Sequence, residues 1–281
     1  MTGAAQVCVL EFWFDPGCAA PRHHHFDVEE LIAVVEGLAD FEVDGQQRAV
    51  EAGESIVLPA GSRHGFQNAG GDVLRVLVVF PVPAPPVAYE EEPGIVYAIA
   101  GDSRERRDAH RAVDAANSRP VVAARAAVPG GALPGRGRNG AELHDWRDGV
   151  RTRLHAGAAT GAAQLCVIEQ WCDPGRGAPL HHHFEVEELI AVVEGLAEFE
   201  VDGAKRAVQA GGSIVLPAGS RHGFRNAGRS QLRTLAIFPT PAPAVEYEHE
   251  PGIVYTISGA LLPEPTAGRR RSDTPATRSD G

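Results

Sequence analysis

The chain has 281 residues, 43% of them hydrophobic, and a formal net charge of −11. That length divides naturally into two domains of about 100 residues each plus connecting sequence. The acidic balance argues against nucleic acid as a partner, because phosphate binding needs a basic face. No run of about 18 apolar residues is present and the N-terminus lacks a basic region followed by an apolar stretch, so neither a membrane span nor a signal peptide is expected. Of the four cysteines only Cys8 and Cys166 occupy equivalent positions, whereas Cys18 and Cys172 do not. This is no disulfide framework, and buried thiols in a reducing, cytoplasmic setting are expected.

In chain order, Val7–Phe14 alternates loosely and Leu31–Val35 is a β-branched run ending at Gly37. Ala39–Val43 and Arg48–Val50 flank Asp44-Gly45, and Asp-Gly between two such runs signals a tight hairpin. Ser55–Leu58, Arg63–Gln67 and Leu74–Phe80 complete a set of short strands. Regular spacing of this kind indicates an all-β antiparallel sandwich or barrel. Residues 102–142 are rich in Ala, Arg, Gly and Pro and read as a disordered linker, with a short helix over Arg104–Ala116. Asp145–Leu154 is strand-like around a turn at Asp148-Gly149. The tail after residue 260 is polar and proline-rich and reads as disordered.

The chain repeats itself. His23 recurs as His181, Glu30 as Glu188, His64 as His222 and Gly101 as Gly259, each 158 residues on. Roughly three-quarters of about 100 paired positions are identical, without insertion or deletion, so this is a duplicated domain and not a solenoid. The expected division is 1–101 and 143–259. The Asp145–Leu154 run has no counterpart in the first copy. Either the first domain lacks an N-terminal strand, or the natural start lies upstream of Met1.

Each copy concentrates imidazole and carboxylate. His23, His24, His25, Glu29 and Glu30 lie within ten residues, with His64 further on, and the set returns as His181, His182, His183, Glu187, Glu188 and His222. This ligand pair suits iron, manganese, nickel and zinc. On a strand, residues i and i+2 share a face, so His23 and His25 project together and His24 to the other side. His24 and His182 are read as flanking residues, Glu29 and Glu187 as surface charges, and Arg63 and Arg221 as surface or ion-pairing residues.

These residues resemble the cupin superfamily. Its first motif, G-x5-H-x-H-x3–4-E-x6-G, is met by Gly17, His23, His25, Glu30 and Gly37, and again by Gly175, His181, His183, Glu188 and Gly195. Its second, G-x5-P-x-G-x2-H-x3-N, is met by Gly53, Pro59, Gly61, His64 and Asn68, and again by Gly211, Pro217, Gly219, His222 and Asn226. The resemblance covers nearly all of both repeats. It implies two tandem jelly-roll barrels, a bicupin, with one divalent metal in each. The ligands it implies are His23, His25, Glu30 and His64 in the first barrel and His181, His183, Glu188 and His222 in the second. It also implies that the two barrels pair within the chain through edge strands and apolar faces, with a homodimer as a further option.

Three His and one Glu leave one or two positions open on a six-coordinate metal, for dioxygen, water or a chelating substrate. Fe(II) is the favoured metal, with Zn, Mn or Ni as alternatives. The expected activity is a dioxygenase acting on a small, largely apolar or aromatic metabolite. The alternatives are a Zn/Mn isomerase or polyketide-type cyclase, or a non-catalytic small-ligand-binding module. Glu30 and Glu188 are candidate proton acceptors. Trp13, Phe66, Trp171 and Phe224 are candidate pocket residues, with core packing as the competing reading.

Overall fold

A computed structural model describes residues 4–99 and 143–257 and a short strand at Glu264–Pro265. The expected linker, its helix and most of the tail lie outside the described residues. The first repeat contains β1 (Cys8–Phe14), β2 (Ala19–His24), β3 (Glu30–Glu36), β4 (Leu38–Val43), β5 (Gln46–Glu51), β6 (Ser55–Leu58), β7 (His64–Asn68), β8 (Leu74–Phe80), β9 (Pro86–Tyr89) and β10 (Tyr97–Ala98). The second begins with a hairpin, β11 (His144–Arg147) and β12 (Val150–Ala156), and a 3-10 turn at Ala158–Thr160. It continues with β13 (Cys166–Cys172), β14 (Gly177–His182), β15 (Glu188–Glu194), β16 (Leu196–Val201), β17 (Ala204–Gln209), β18 (Ser213–Leu216) and β19 (His222–Asn226). β20 (Leu232–Phe238), β21 (Ala244–Tyr247), β22 (Val254–Thr256) and β23 (Glu264–Pro265) complete it.

Each repeat folds into two antiparallel sheets. In the first they run β1-β8-β3-β6 and β10-β9-β2-β7-β4-β5, and in the second β11-β12-β13-β20-β15-β18 and β17-β16-β19-β14-β21-β22-β23. The architecture is all-β, two tandem jelly-roll barrels, and no helix among the described residues is long and apolar enough to cross a membrane. The β11–β12 hairpin has no counterpart among the described strands of the first repeat.

The turns follow from their residues. Asp44 and Gly45 both sit at positive φ, 47° and 82°, as a two-residue hairpin between β4 and β5 requires. Gly37, at φ 89°, turns β3 into β4, and a Cβ there would lie 3.0 Å from the backbone of Leu74. Asn68 pins the end of β7: its Nδ2 donates to the carbonyls of Phe14 and Asp72, while its Oδ1 accepts from Gly70 N. Asn226 repeats this with Cys172, Ser230 and Gly228.

Every barrel has its own apolar interior. A third core lies between them, formed by Val7, Leu31, Ala33, Leu77 and Val79 against Leu165, Val167, Leu189, Leu235 and Ile237. The repeats therefore join face to face. The expectation of edge-strand pairing is corrected, because no ladder connects the two repeats among the described strands. The physical reason lies in β3, whose residues Leu31–Val35 are all buried: one face fills the barrel and the other meets the second repeat. The packing continues at the hairpin, where Arg153 Nη1 donates to Gly53 O at 2.7 Å and His155 Nδ1 lies 2.9 Å from Ser55 Oγ.

Candidate metal centres

In each barrel three strands deliver the ligands. β2 carries His23, and His25 lies one residue past its end. β3 opens with Glu30 and β7 opens with His64. His23 and His64 are directly paired across β2 and β7, as are His181 and His222 across β14 and β19. The turn before β7 is tied down by Gly61 N donating to His25 O at 2.7 Å and Ser62 Oγ donating to Pro59 O at 2.7 Å.

The structure brings His23, His25, Glu30 and His64 together, all buried, and separately His181, His183, Glu188 and His222. Within each group the ligand atoms lie within 4.8 Å of one another. His64 Nε2 is 3.1 Å from His23 Nε2 and 2.8 Å from Glu30 Oε2, and His25 Nε2 is 3.4 Å from the same oxygen.

Hydrogen bonding settles which ring nitrogens are free. His23 Nδ1 lies 2.7 Å from Pro21 O, His25 Nδ1 2.7 Å from Pro86 O, and His64 Nδ1 3.0 Å from Ser62 O. His181, His183 and His222 do the same with Pro179, Ala244 and Ser220. A carbonyl only accepts, so each Nδ1 carries a proton, which leaves Nε2 as the atom that would present a lone pair to a metal. Three lone pairs and a carboxylate converging on one point repel one another unless a cation sits among them. His25 Nε2, Glu30 Oε2 and His183 Nε2 are buried without a hydrogen-bond partner, as ligand atoms would be. The donor set, three imidazoles and one carboxylate, fits a divalent first-row metal.

Burial foremost, and then the neighbouring charge of His64, lowers the His23 pKa to about 3. His181 is lowered to about 3 by burial and then by His222. Burial alone would raise the Glu30 carboxyl, but His64 and His25 outweigh it and hold it well below the usual carboxylate range. Glu188 is held down in the same way by His183 and His222. Both glutamates thus keep their negative charge.

The second site opens onto a cavity of about 80 Å³. Its walls include Trp146, Leu154, Ile168, Phe224, Phe238 and Tyr247 around His181, His183 and Glu188. Phe224 therefore lines it. Phe66, its counterpart, is buried against Phe14 and Phe41, with ring centroids 5.0 and 4.9 Å away. The tryptophan expectation needs correction. Trp13 is 59% exposed beside Arg75, and Trp171 stacks outside the barrel between Arg153 and Arg233, 5.1 and 5.8 Å away. Both sit at odd positions of strands whose even positions face inward. The cavity's tryptophan is Trp146, supplied by β11.

His24 and His182 are half-buried and outside both ligand groups, each against a phenylalanine ring, Phe26 and Phe184. Arg63 pairs with Glu90, and Arg221 with Glu200 and Glu248. Glu29 and Glu187 are not surface charges. Both are buried, and each accepts three backbone N–H groups of the other repeat: Ala163, Gln164 and Leu165 for Glu29, and Ala5, Gln6 and Val7 for Glu187. Sequence reasoning also missed Tyr89 and Tyr247, whose rings lie 5.5 and 5.6 Å from His23 and His181. Their recurrence at the repeat spacing was the available signal.

A family model described as a cupin domain matches residues 10–80 and again 171–238. The chain is 29% identical over 129 residues to polyketide synthase CurC of Streptomyces cyaneus, covering 46% of this chain and 68% of that protein. It is 25% identical over 233 residues to quercetin 2,3-dioxygenase of Bacillus subtilis, covering 74% of this chain and 66% of that one. Among solved structures, an oxalate decarboxylase from Bacillus subtilis superposes with a TM-score of 0.64 at 18% identity, over 87% of this chain and 72% of the other. At that identity the likeness concerns the fold alone.

Proposed function

The chain belongs to the cupin superfamily as a bicupin, and from that premise we propose a metal-dependent enzyme of the Fe(II) dioxygenase type. Its substrate is a small, largely apolar or aromatic metabolite. One observation carries the reading: the His181/His183/Glu188 site opens onto a cavity with apolar and aromatic walls and no Lys or Arg among its lining residues. Beyond the metal itself no cationic side chain lines the cavity to meet a charged substrate, while a neutral ring finds apolar surface. The similarity to quercetin 2,3-dioxygenase, which extends across both repeats, supports the same reading.

His181, His183, Glu188 and His222 would hold the metal, which supplies open coordination positions for dioxygen and substrate oxygen. The carbonyl partners of the three Nδ1 atoms keep the imidazoles oriented. Tyr247 lines the cavity, and its hydroxyl is pushed up to about 12, by burial first and in part by the charge of Glu188. It therefore stays protonated and can donate a hydrogen bond to a substrate oxygen. The apolar walls exclude water from the reacting groups.

The test is oxygen uptake by protein reconstituted anaerobically with Fe(II), offered flavonols and catechols. Uptake that requires both iron and substrate is the expected result. Conversion that proceeds without oxygen, or with zinc or manganese alone, would replace this reading with a cyclase or isomerase. That second reading has its own support in the similarity to CurC. Binding without conversion under any metal would leave a small-ligand-binding module. We further propose a reducing, cytoplasmic location, since only Cys8 and Cys166 of the four cysteines recur at equivalent positions, unlike a repeated disulfide framework.

A further inference from the structure

The two copies keep the same four ligands but differ at a block of inward-facing positions on two adjacent strands. β1 and β8 of the first barrel carry Phe12, Phe14, Val76 and Val78. The equivalent positions of β13 and β20 are Gln170, Cys172, Thr234 and Ala236. These are neighbours across the sheet: Phe12 pairs with Val76, and Gln170 pairs with Thr234. Phe12 and Phe14 lie 6.2 Å apart, and Phe14 meets Phe66 at 5.0 Å, so aromatic rings fill that end of the first barrel. In the second barrel the replacements are smaller or polar, and Gln170 and Ala236 line the cavity beside the metal ligands.

The polar residues form one row. Thr152 pairs with Gln170, which pairs in turn with Thr234. Thr152 and Gln170 both line the cavity. Thr234 shares the face of Ala236 and Phe238, which line it too. Its side chain is fully buried, and Oγ1 has no hydrogen-bond partner within the chain. A buried hydroxyl without a partner is costly, and valine, nearly its isostere, stands at the same place in the first barrel. That hydroxyl is closed off behind the cavity wall, and Thr152 and Gln170 are the members of the row that line the cavity.

We infer that the second barrel alone takes the organic substrate, and that Thr152 and Gln170 recognise the oxygen atoms of a neutral, oxygenated aromatic or enolic ligand. The first barrel holds its metal as a structural centre. An amide and a hydroxyl each donate and accept, so the row matches hydroxyl and carbonyl groups alike and supplies no charge. This rests on the proposed function and adds which barrel performs it and through which residues.

The test uses full-length protein loaded with zinc, which blocks turnover, titrated calorimetrically with catechol. Wild type should bind one catechol and two zinc ions per chain. The triple variant Gln170→Phe, Thr234→Val, Ala236→Val imports side chains the first barrel already accommodates. It should keep both zinc ions and bind catechol at least about tenfold more weakly. Gln170→Leu alone should weaken catechol by about tenfold, the loss of one hydrogen bond, while keeping both zinc ions. Two catechols per chain would overturn the division of labour and leave the functional reading standing. Unchanged affinity in the triple variant or in Gln170→Leu would overturn the recognition role. Failure of wild type to bind catechol at all would overturn the functional reading and this inference with it.

Discussion

Glu187 accepts the backbone N–H of Val7 through Oε1 at 3.0 Å, across the boundary between the two repeats. Glu29 accepts the N–H of Leu165 in the reciprocal position, at 3.2 Å. Each carboxylate gathers three consecutive amides, and Oε1 of Gln6 and of Gln164 accepts in turn the backbone N–H of Glu187 and of Glu29. In this clasp the repeats relate to one another like the two copies of an isologous dimer, each contact of the pair being made twice.

Glu187→Ala would leave the buried Val7 N–H and the partly buried N–H groups of Ala5 and Gln6 without their acceptor. We expect a stability loss of about 1–3 kcal/mol, the cost of one orphaned buried group. Chemical denaturation measures it, and metal content at neutral pH should stay at its wild-type value. A loss under about 0.5 kcal/mol, the range of an ordinary surface substitution, would show that the clasp contributes little.

Cutting the connection should not separate the halves. The inter-barrel core and the two glutamate clasps join them without using residues 102–142. With a protease site inserted in that segment and cleaved, the two fragments should co-elute in size exclusion at micromolar concentration. Separate elution would mean that the interface is too weak to hold without the covalent link.

Metal content should be close to two equivalents per chain after anaerobic reconstitution, and His64→Ala should reduce it to one. In the second barrel, His183→Ala should release the metal, and His182→Ala should retain it. His183 belongs to the converging ligand group, whereas His182 lies beside Phe184 outside it. Losing one of four ligands weakens a site strongly, while a supporting residue costs about 10–100-fold. Equal metal loss from both variants would refute the assignment of faces.

The metal-free protein should be acid-labile over a defined window. His23 and His181 fall from 6.5 to about 3 on folding, so between those values the unfolded chain binds more protons than the folded one. Stability then rises with pH across the window and is lost as pH falls from about 6.5 towards 3. Melting temperatures of chelator-treated protein between pH 7 and 4 should show the slope, and His23→Gln should reduce it. Bound metal should dissociate over the same range, since protons compete for the same Nε2 atoms. A flat profile would contradict the depressed values.

Much of this protein is determined by its sequence. The two motifs name the residues that converge at each centre, and Asp44-Gly45 and Gly37 mark turns whose positive φ few other residues tolerate. The strand runs Ser55–Leu58 and Leu74–Phe80 coincide with β6 and β8. β2 and β9 were less legible, because prolines and histidines break the β-branched pattern of Ala19–His24 and Pro86–Tyr89. Tertiary structure decided the rest. Alternation divides a strand into two faces but does not say what covers each of them. For β3 both are covered, one by its own barrel and one by the other repeat, so a glutamate at its threshold became a clasp and not a surface charge. The same limit hid the cavity's tryptophan. Trp146 reaches the site only because β11 and β12 fold over β13, and that pairing joins segments whose proximity no local pattern records.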